Sequence, residues 1–219
     1  MDKLCINYAL LNKRTIPDRY PLSNINEMLS SFWGSKWFTV IDLASAYWQI
    51  QLRKKDRPKT AFLTRNGQYQ FKVIPFGLNN ALVTFQRLMN KVLRQYIGKF
   101  IQVYLDDVII YSNNLTEHKR HIRAVLEKIK EANLKLKPSK CQWFQIELKF
   151  VGHLVGRNGI RPDSRNVEKI KNAKVPKNTI ELRRFLGMAQ YYRQYINSYA
   201  DVAGSLYDML KEDGPAVWG

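Results

Sequence analysis

Phe100 to Ser112 reads Phe-Ile-Gln-Val-Tyr-Leu-Asp-Asp-Val-Ile-Ile-Tyr-Ser, two apolar runs with an acidic pair between them. β-Branched and aromatic residues suit a buried strand. The segment therefore predicts a hairpin with Asp106 and Asp107 at its turn, at the end of a buried sheet. Two carboxylates so placed repel each other and lose hydration, which is unfavourable without a counter-ion. Taken alone, the pair is also ordinary turn chemistry, because Asp is common in turns. A second apolar strand, Trp37-Phe38-Thr39-Val40-Ile41, runs straight into Asp42. Alone, Asp42 is equally a strand-end residue or a helix cap. If the strands are neighbours in one sheet, the three acids meet. Mg²⁺ prefers carboxylate oxygen and keeps positions open for water and phosphate. Two such ions, about 4 Å apart, clamp an in-line phosphoryl transfer.

Charge points the same way. Lys and Arg number 36 against 18 Asp and Glu, a formal net charge of +18. That imbalance predicts a polyanionic partner, most simply nucleic acid; the bland alternative is a ribosome-like or merely soluble basic protein. The length of 219 residues suits one large domain or two small ones, and 45% hydrophobic residues can build a core. Cys5 and Cys141 are the only cysteines. They are too few for a disulfide scaffold or zinc cluster and read as two buried thiols in a reducing compartment. No uncharged apolar run reaches the roughly 18 residues of a membrane helix. Met1-Asp2-Lys3-Leu4-Cys5 lacks a secretory pattern. No membrane partner is expected.

Along the chain, Leu4 to Tyr8 reads as a strand that starts abruptly. Ser23 is placed to cap a helix carrying Ile25, Met28, Leu29 and Phe32, ended by Gly34. Tyr47 to Leu52 alternates polar and apolar residues. Thr60–Thr64 and Tyr69–Val73 flank Asn66-Gly67, which is hairpin grammar. Asn79 or Asn80 caps a helix through Leu93, with Leu82, Phe85, Leu88 and Met89 inward. Thr116 caps a basic helix with Ile122, Val125, Leu126 and Ile129 inward, and Pro138 ends that region. Phe144 to Val155 supplies a strand pair around Gly152. From Arg157 to Arg193 ten Lys/Arg face three acids, and the segment reads as helices. Asn178 and Glu181 resemble a capping box. A boundary is expected near residue 158.

Read together, Ile41-Asp42-Leu43-Ala44-Ser45-Ala46-Tyr47, Phe76-Gly77-Leu78-Asn79-Asn80-Ala81 through Phe85-Gln86-Arg87, and Tyr104-Leu105-Asp106-Asp107 resemble motifs A, B and C of reverse transcriptases. Asp18-Arg19-Tyr20-Pro21-Leu22, Pro58-Lys59-Thr60-Ala61-Phe62, Phe150-Val151-Gly152-His153 and Leu182 to Arg193 narrow the resemblance to gypsy-type (Metaviridae) LTR retrotransposons, in the polymerase region of a Pol polyprotein. It covers nearly the whole chain. The resemblance implies an α+β right-hand polymerase: partial fingers and palm, an antiparallel sheet with helices, over 1–157, and a helical thumb over 158–219. It implies two Mg²⁺ ions, or Mn²⁺, on Asp42, Asp106 and the Leu43 carbonyl, with Asp107 beside them. The reaction implied is attack of a primer 3′-hydroxyl on a dNTP, on an RNA or DNA template. Tyr47 stands at the ribose-sensing position, or is one more core aromatic. Phe76 and Gly77 shape the nucleotide pocket. Lys140 either protonates pyrophosphate or is a solvated lysine. Phe150, Val151, Gly152 and His153 match the primer grip, or are a structural hairpin. Gly187 and Tyr191 match a thumb helix tracking the duplex, although the glycine could equally serve a neighbouring helix. A homodimer, neighbouring Pol segments, and a cytoplasmic (virus-like particle) or nuclear location follow from the resemblance alone.

The departures carry expectations of their own. Asn7-Tyr8-Ala9 stands where the family has Asp-Tyr-Arg, and Lys3 where an arginine contacts the triphosphate. Leu82-Val83 replaces Pro-Ala, and Trp48 replaces His. The preceding fingers strands are missing, and the chain stops at Ala216–Gly219, before connection and RNase H regions. These changes leave the metal site whole and bear on triphosphate binding. The alternative reading is a catalytically impaired nucleic-acid-binding remnant. A metal-dependent nuclease would need Glu147-Leu148-Lys149 plus an upstream acid that the sequence does not supply, and a purely structural assembly subunit shows no interface.

Overall fold

The apolar runs on either side of the acidic pair become β4 (Ile101–Tyr104) and β5 (Asp107–Ser112), and Trp37–Asp42 becomes β1. The computed structural model describes residues 5–21 and 23–210. With β6 (Gln142–Gln145) the strands form a sheet in the order β4-β5-β1-β6. Neighbours are antiparallel, and β1 pairs with β5 from Trp37↔Ser112 to Asp42↔Asp107. The run is apolar because the sheet is covered. Helix α3 (Ala81–Val92) and helix α4 (Leu115–Glu131) contribute to one core in which Phe85, Met89, Val108, Ile110 and Val125 are completely buried. Each such side chain contributes about 1.5–3 kcal/mol through its removal from water.

The chain divides into two compact units. The first runs to Leu148 and includes Gly156–Gly159; the second takes Lys149–Val155 and the chain from Ile160 onward. The first unit also holds α1 (Ala9–Arg14), α2 (Ile25–Ser31) and a hairpin of β2 (Phe62–Thr64) and β3 (Gly67–Tyr69). Further on, β7 (Glu147–Phe150), β8 (His153–Gly156) and β9 (Gly159–Pro162) form a three-stranded sheet in that order. Helices α5 (Ser164–Lys171), α6 (Thr179–Tyr191) and α7 (Tyr199–Asp208) follow, with Leu182, Leu186 and Ala203 as the buried centre of their packing.

Several local expectations change. Residues 5–8 are not a strand; Ala9–Arg14 is a helix instead. Tyr8 is buried, and its hydroxyl donates to the Thr60 carbonyl at 3.3 Å. The alternating stretch after Asp42 is a short 3-10 turn at Ala46–Gln49. The cap of α2 is Asn24 rather than Ser23, and that of α4 is Asn114 rather than Thr116. Asn80 precedes α3 without capping it, because its side chain accepts from the Asp18 N–H and donates to the Ile16 carbonyl. Thr64 pairs with Gly67, so the β2–β3 turn is Arg65-Asn66. Cys5 is exposed and Cys141 half-buried, so the two thiols are not core residues. Among the described residues no helix is long and apolar enough to cross a membrane.

Candidate active site

Strand pairing brings the acids together. Asp42 is the last residue of β1 and lies directly opposite Asp107, the first residue of β5. Tyr104 pairs with Asp107, so Leu105 and Asp106 form a two-residue turn. Leu105 has φ +55°, a region that favours glycine; bulky residues held there cluster at functional sites. Gln86, on the otherwise apolar face of α3 and 1% exposed, holds this turn. Its Oε1 accepts from the Leu105 N–H at 3.0 Å and its Nε2 donates to the Val103 carbonyl at 3.1 Å. The sequence reading passed over Gln86. One polar residue on a buried helix face was the signal.

The electrostatics are those of crowded like charges. The Asp107 carboxyl is raised, first by desolvation, then by the charges of Asp42 and Asp106, with Lys140 opposing them. Tyr47 donates to Asp106 Oδ2 at 3.4 Å, and burial and the Asp106 charge push its hydroxyl up to about 12. The Tyr47 ring meets Phe76 and Phe85 edge-on, at centroid distances of 5.5 and 6.1 Å. Gly77 has φ +89°, and Asn12 clamps its turn by donating to the Gly77 carbonyl and accepting from the Asn79 N–H. Lys140 Nζ stands 3.9 Å from Asp42 Oδ2, with 59% of its side chain exposed; the contact is loose and solvated. It exists because the 135–141 segment is laid along the end of β1. Lys137 N–H donates to the Asp42 carbonyl, Ala44 N–H to the Lys135 carbonyl, and Asp42 N–H to Cys141 Sγ. Gln49, also passed over, fastens the segment by donating to the Ala44 and Lys135 carbonyls and accepting from the Lys135 N–H.

The donor set suits a hard divalent cation: its side-chain donors are carboxylate oxygens, with charges that oppose one another until a cation intervenes. Among the described residues no group of three or more His, Cys, Asp or Glu side chains is arranged to hold a metal ion. The set that the resemblance implies needs only two side chains, Asp42 and Asp106, with the Leu43 carbonyl. Lys3 lies outside the described residues.

The remaining candidates lie in the second unit. Val151 and Gly152 form the turn between β7 and β8, at φ +41° and +77°. Two positive φ values are the signature of the type I′ turn that matches strand twist, but a β-branched residue is strained there. Tyr191 donates to the Val151 carbonyl at 2.6 Å, and His153 Nδ1 is 3.1 Å from the same oxygen. The Gly152 carbonyl accepts from the Tyr192 hydroxyl at 3.1 Å and the Asp163 N–H at 2.9 Å. His153 and Phe150 are buried. Burial lowers the His153 pKa, and its ring is surrounded by Tyr191, Tyr192 and Tyr195. Beside the turn, Asn166, Lys169, Arg184, Gly187, Tyr191 and Tyr192 line a groove of about 730 Å³. A Cβ added to Gly187 would meet nothing within 4 Å. No described neighbouring helix accounts for that glycine; its bare face opens on the groove.

The chain is similar to known proteins. The chain is 44% identical over 210 residues to the retrovirus-related Pol polyprotein from transposon 297 of Drosophila melanogaster, covering 96% of this chain and 20% of that protein. It is 40% identical over 215 residues to the corresponding polyprotein from transposon gypsy, covering 98% and 21%. The chain thus spans about a fifth of these relatives. Among solved structures, the foamy viral protease-reverse transcriptase with double-stranded DNA superposes with TM-score 0.86 at 23% identity, over 97% of this chain and 38% of that one. The same enzyme with an RNA/DNA hybrid gives 0.77, over 97% and 29%. The fold is therefore the α+β polymerase fold. A family model described as reverse transcriptase (RNA-dependent DNA polymerase) matches residues 3–155, so β1, β4 and β5, the acid-bearing turn and the helix that clamps it all fall inside the match, and the chain belongs to that family.

Proposed function

We propose that this chain is the polymerase segment of a retrotransposon Pol polyprotein and adds deoxynucleotides to a primer 3′-hydroxyl on an RNA or DNA template. The observation that carries this reading is the register of β1 and β5, which sets Asp42 opposite Asp107 beside the Asp106 turn. We read residues up to 157 as partial fingers and palm and those from 158 as thumb. Asp42, Asp106 and the Leu43 carbonyl would hold two Mg²⁺ ions, which Mn²⁺ can replace. When bound, such ions neutralise charge on the transferring phosphoryl group and align its attacking and leaving oxygens.

The chain's own side chains do the rest. Tyr47, backed by Phe76 and Phe85, presents a bulky ring that excludes a ribose 2′-hydroxyl. Its raised pKa of about 12 keeps the hydroxyl protonated as a donor. Phe76 and Gly77 would form the floor under the incoming base. Lys140 is exposed and within reach of Asp42, suited to hand a proton to leaving pyrophosphate. The Val151–Gly152 turn would hold the primer terminus. Lys169 and Arg184 give the groove beside it the charge that attracts a phosphate backbone, and bare Gly187 lets a duplex approach. Relatives of this fold bind double-stranded DNA and an RNA/DNA hybrid, which supports the same class of partner here.

The test is primer extension on a labelled primer–template with dNTPs and Mg²⁺ or Mn²⁺. Wild-type chain extends, and Asp42→Asn and Asp106→Asn do not, while all three bind duplex equally. Extension unaffected by either substitution overturns the metal assignment. Duplex binding without extension by the wild type favours the impaired remnant.

A further inference from the structure

The Val151–Gly152 turn has more internal ties than a hairpin turn needs. A type I′ turn forms from its own backbone, and Asn-Gly would satisfy it without help. Here the first position is Val, the less suitable kind of residue for φ +41°, so something else sustains the conformation. That something is the residue that ends α6, Tyr192, and the start of α5. The Tyr192 hydroxyl donates to the Gly152 carbonyl at 3.1 Å and accepts from Asn166 Nδ2 at 3.0 Å. A Cβ at Gly152 would collide with that same hydroxyl, so the phenol reads the bare face of the glycine as well as its carbonyl. Tyr192 and Asn166 also line the groove. Whatever occupies the groove touches the residues that fix the turn.

We propose that Tyr192 is a positioning residue: its hydroxyl fixes the Val151–Gly152 turn in the left-handed backbone that aims a primer terminus, and so links groove occupancy to primer placement. The role in primer placement rests on the polymerase reading above; the role in holding the turn does not.

Tyr192→Phe tests both. It keeps the ring, and with it the packing against His153 and Tyr191, and removes only the hydroxyl. Hydrogen exchange at the 151–153 amides is expected to quicken at least tenfold, with α6 unchanged. In primer extension kcat is expected to fall about tenfold at saturating duplex, while the Kd for a fluorescein-labelled primer–template stays within twofold. Tyr207→Phe is the control, since that hydroxyl meets Gln190 and Tyr199 rather than the turn; it should change neither readout. Exchange in Tyr192→Phe within twofold of wild type overturns the proposal. So does faster exchange with kcat unchanged. Asp106→Asn is assayed beside them: if it extends primers normally, the polymerase reading fails, and exchange alone still decides whether Tyr192 holds the turn.

Discussion

The Leu105–Asp106 turn and the Val151–Gly152 turn both close antiparallel hairpins, and both carry a bulky residue at positive φ, +55° and +41°. They are held by different chemistry. The first is fixed from within: Gln86 reaches it from a helix whose neighbours Phe85 and Met89 are completely buried. The second is fixed by hydroxyls of Tyr191 and Tyr192 and by one backbone N–H. A turn clamped by an apolar core can carry repelling acids without losing its shape. A turn clamped by hydroxyls near a groove can respond to what enters that groove.

The largest expected effect tests the first half of this contrast. Asp106→Asn should reduce extension by about a thousandfold or more, roughly 4 kcal/mol in activation free energy. Thermal unfolding should show stability unchanged within about 1 kcal/mol, because removing one of three like charges relieves the repulsion that raises Asp107. A large stability loss would mean that Asp106 itself holds the turn.

Gly152→Ala comes next and breaks the second turn. It places Cβ at φ +77° against the Tyr192 hydroxyl. We expect a loss of about 2–3 kcal/mol from strain and collision together. Combining it with Tyr192→Phe removes the atom struck, so the double variant should recover part of the loss in a double-mutant cycle. Strict additivity would show that the hydroxyl and the glycine are not coupled.

The difference between the turns also marks what the sequence could tell. Strands β1 and β5 were legible because burial on both faces makes them continuously apolar, and the acids stand out at their ends. Capping residues shifted by one or two positions, since Ser23 and Asn24, or Asn114 and Thr116, offer similar chemistry. Over residues 5–8 the expected strand is absent for a long-range reason: Tyr8 is buried and its hydroxyl donates to the Thr60 carbonyl, 52 positions away, which no local pattern reveals. The alternation from Tyr47 does not become a strand: Ala46–Gln49 is a 3-10 turn, and Gln49 bonds to the Ala44 and Lys135 carbonyls. In the site itself, the acids, Tyr47 and the glycine turn were visible as residues. Gln86 and Tyr192 were not visible as clamps, because each sits inside a helical pattern and acts through one polar atom.

Gln86→Leu asks whether the first turn truly depends on its amide. It keeps the side-chain volume but leaves the half-buried Leu105 N–H and the buried Val103 carbonyl without this partner. The expected loss is about 1–3 kcal/mol in urea unfolding, with a fall in extension rate and no change in duplex affinity. If stability holds while the rate falls, the amide aligns the acids without bracing the fold.

The smallest effect separates groove from turn. Gly187 faces open space and has no positive φ, so Gly187→Ala should stabilise α6 by about 0.5–1 kcal/mol, the ordinary helix preference. Gly187 lines the groove, and the added methyl would meet no atom within 4 Å, the Val151–Gly152 carbonyls included. Duplex affinity, read by anisotropy of a labelled primer–template, should therefore weaken severalfold, while hydrogen exchange at 151–153 stays as in the wild type. A gain in stability with affinity unchanged would take the duplex out of the groove, and would leave the tyrosine clamp as a device that serves the hairpin alone.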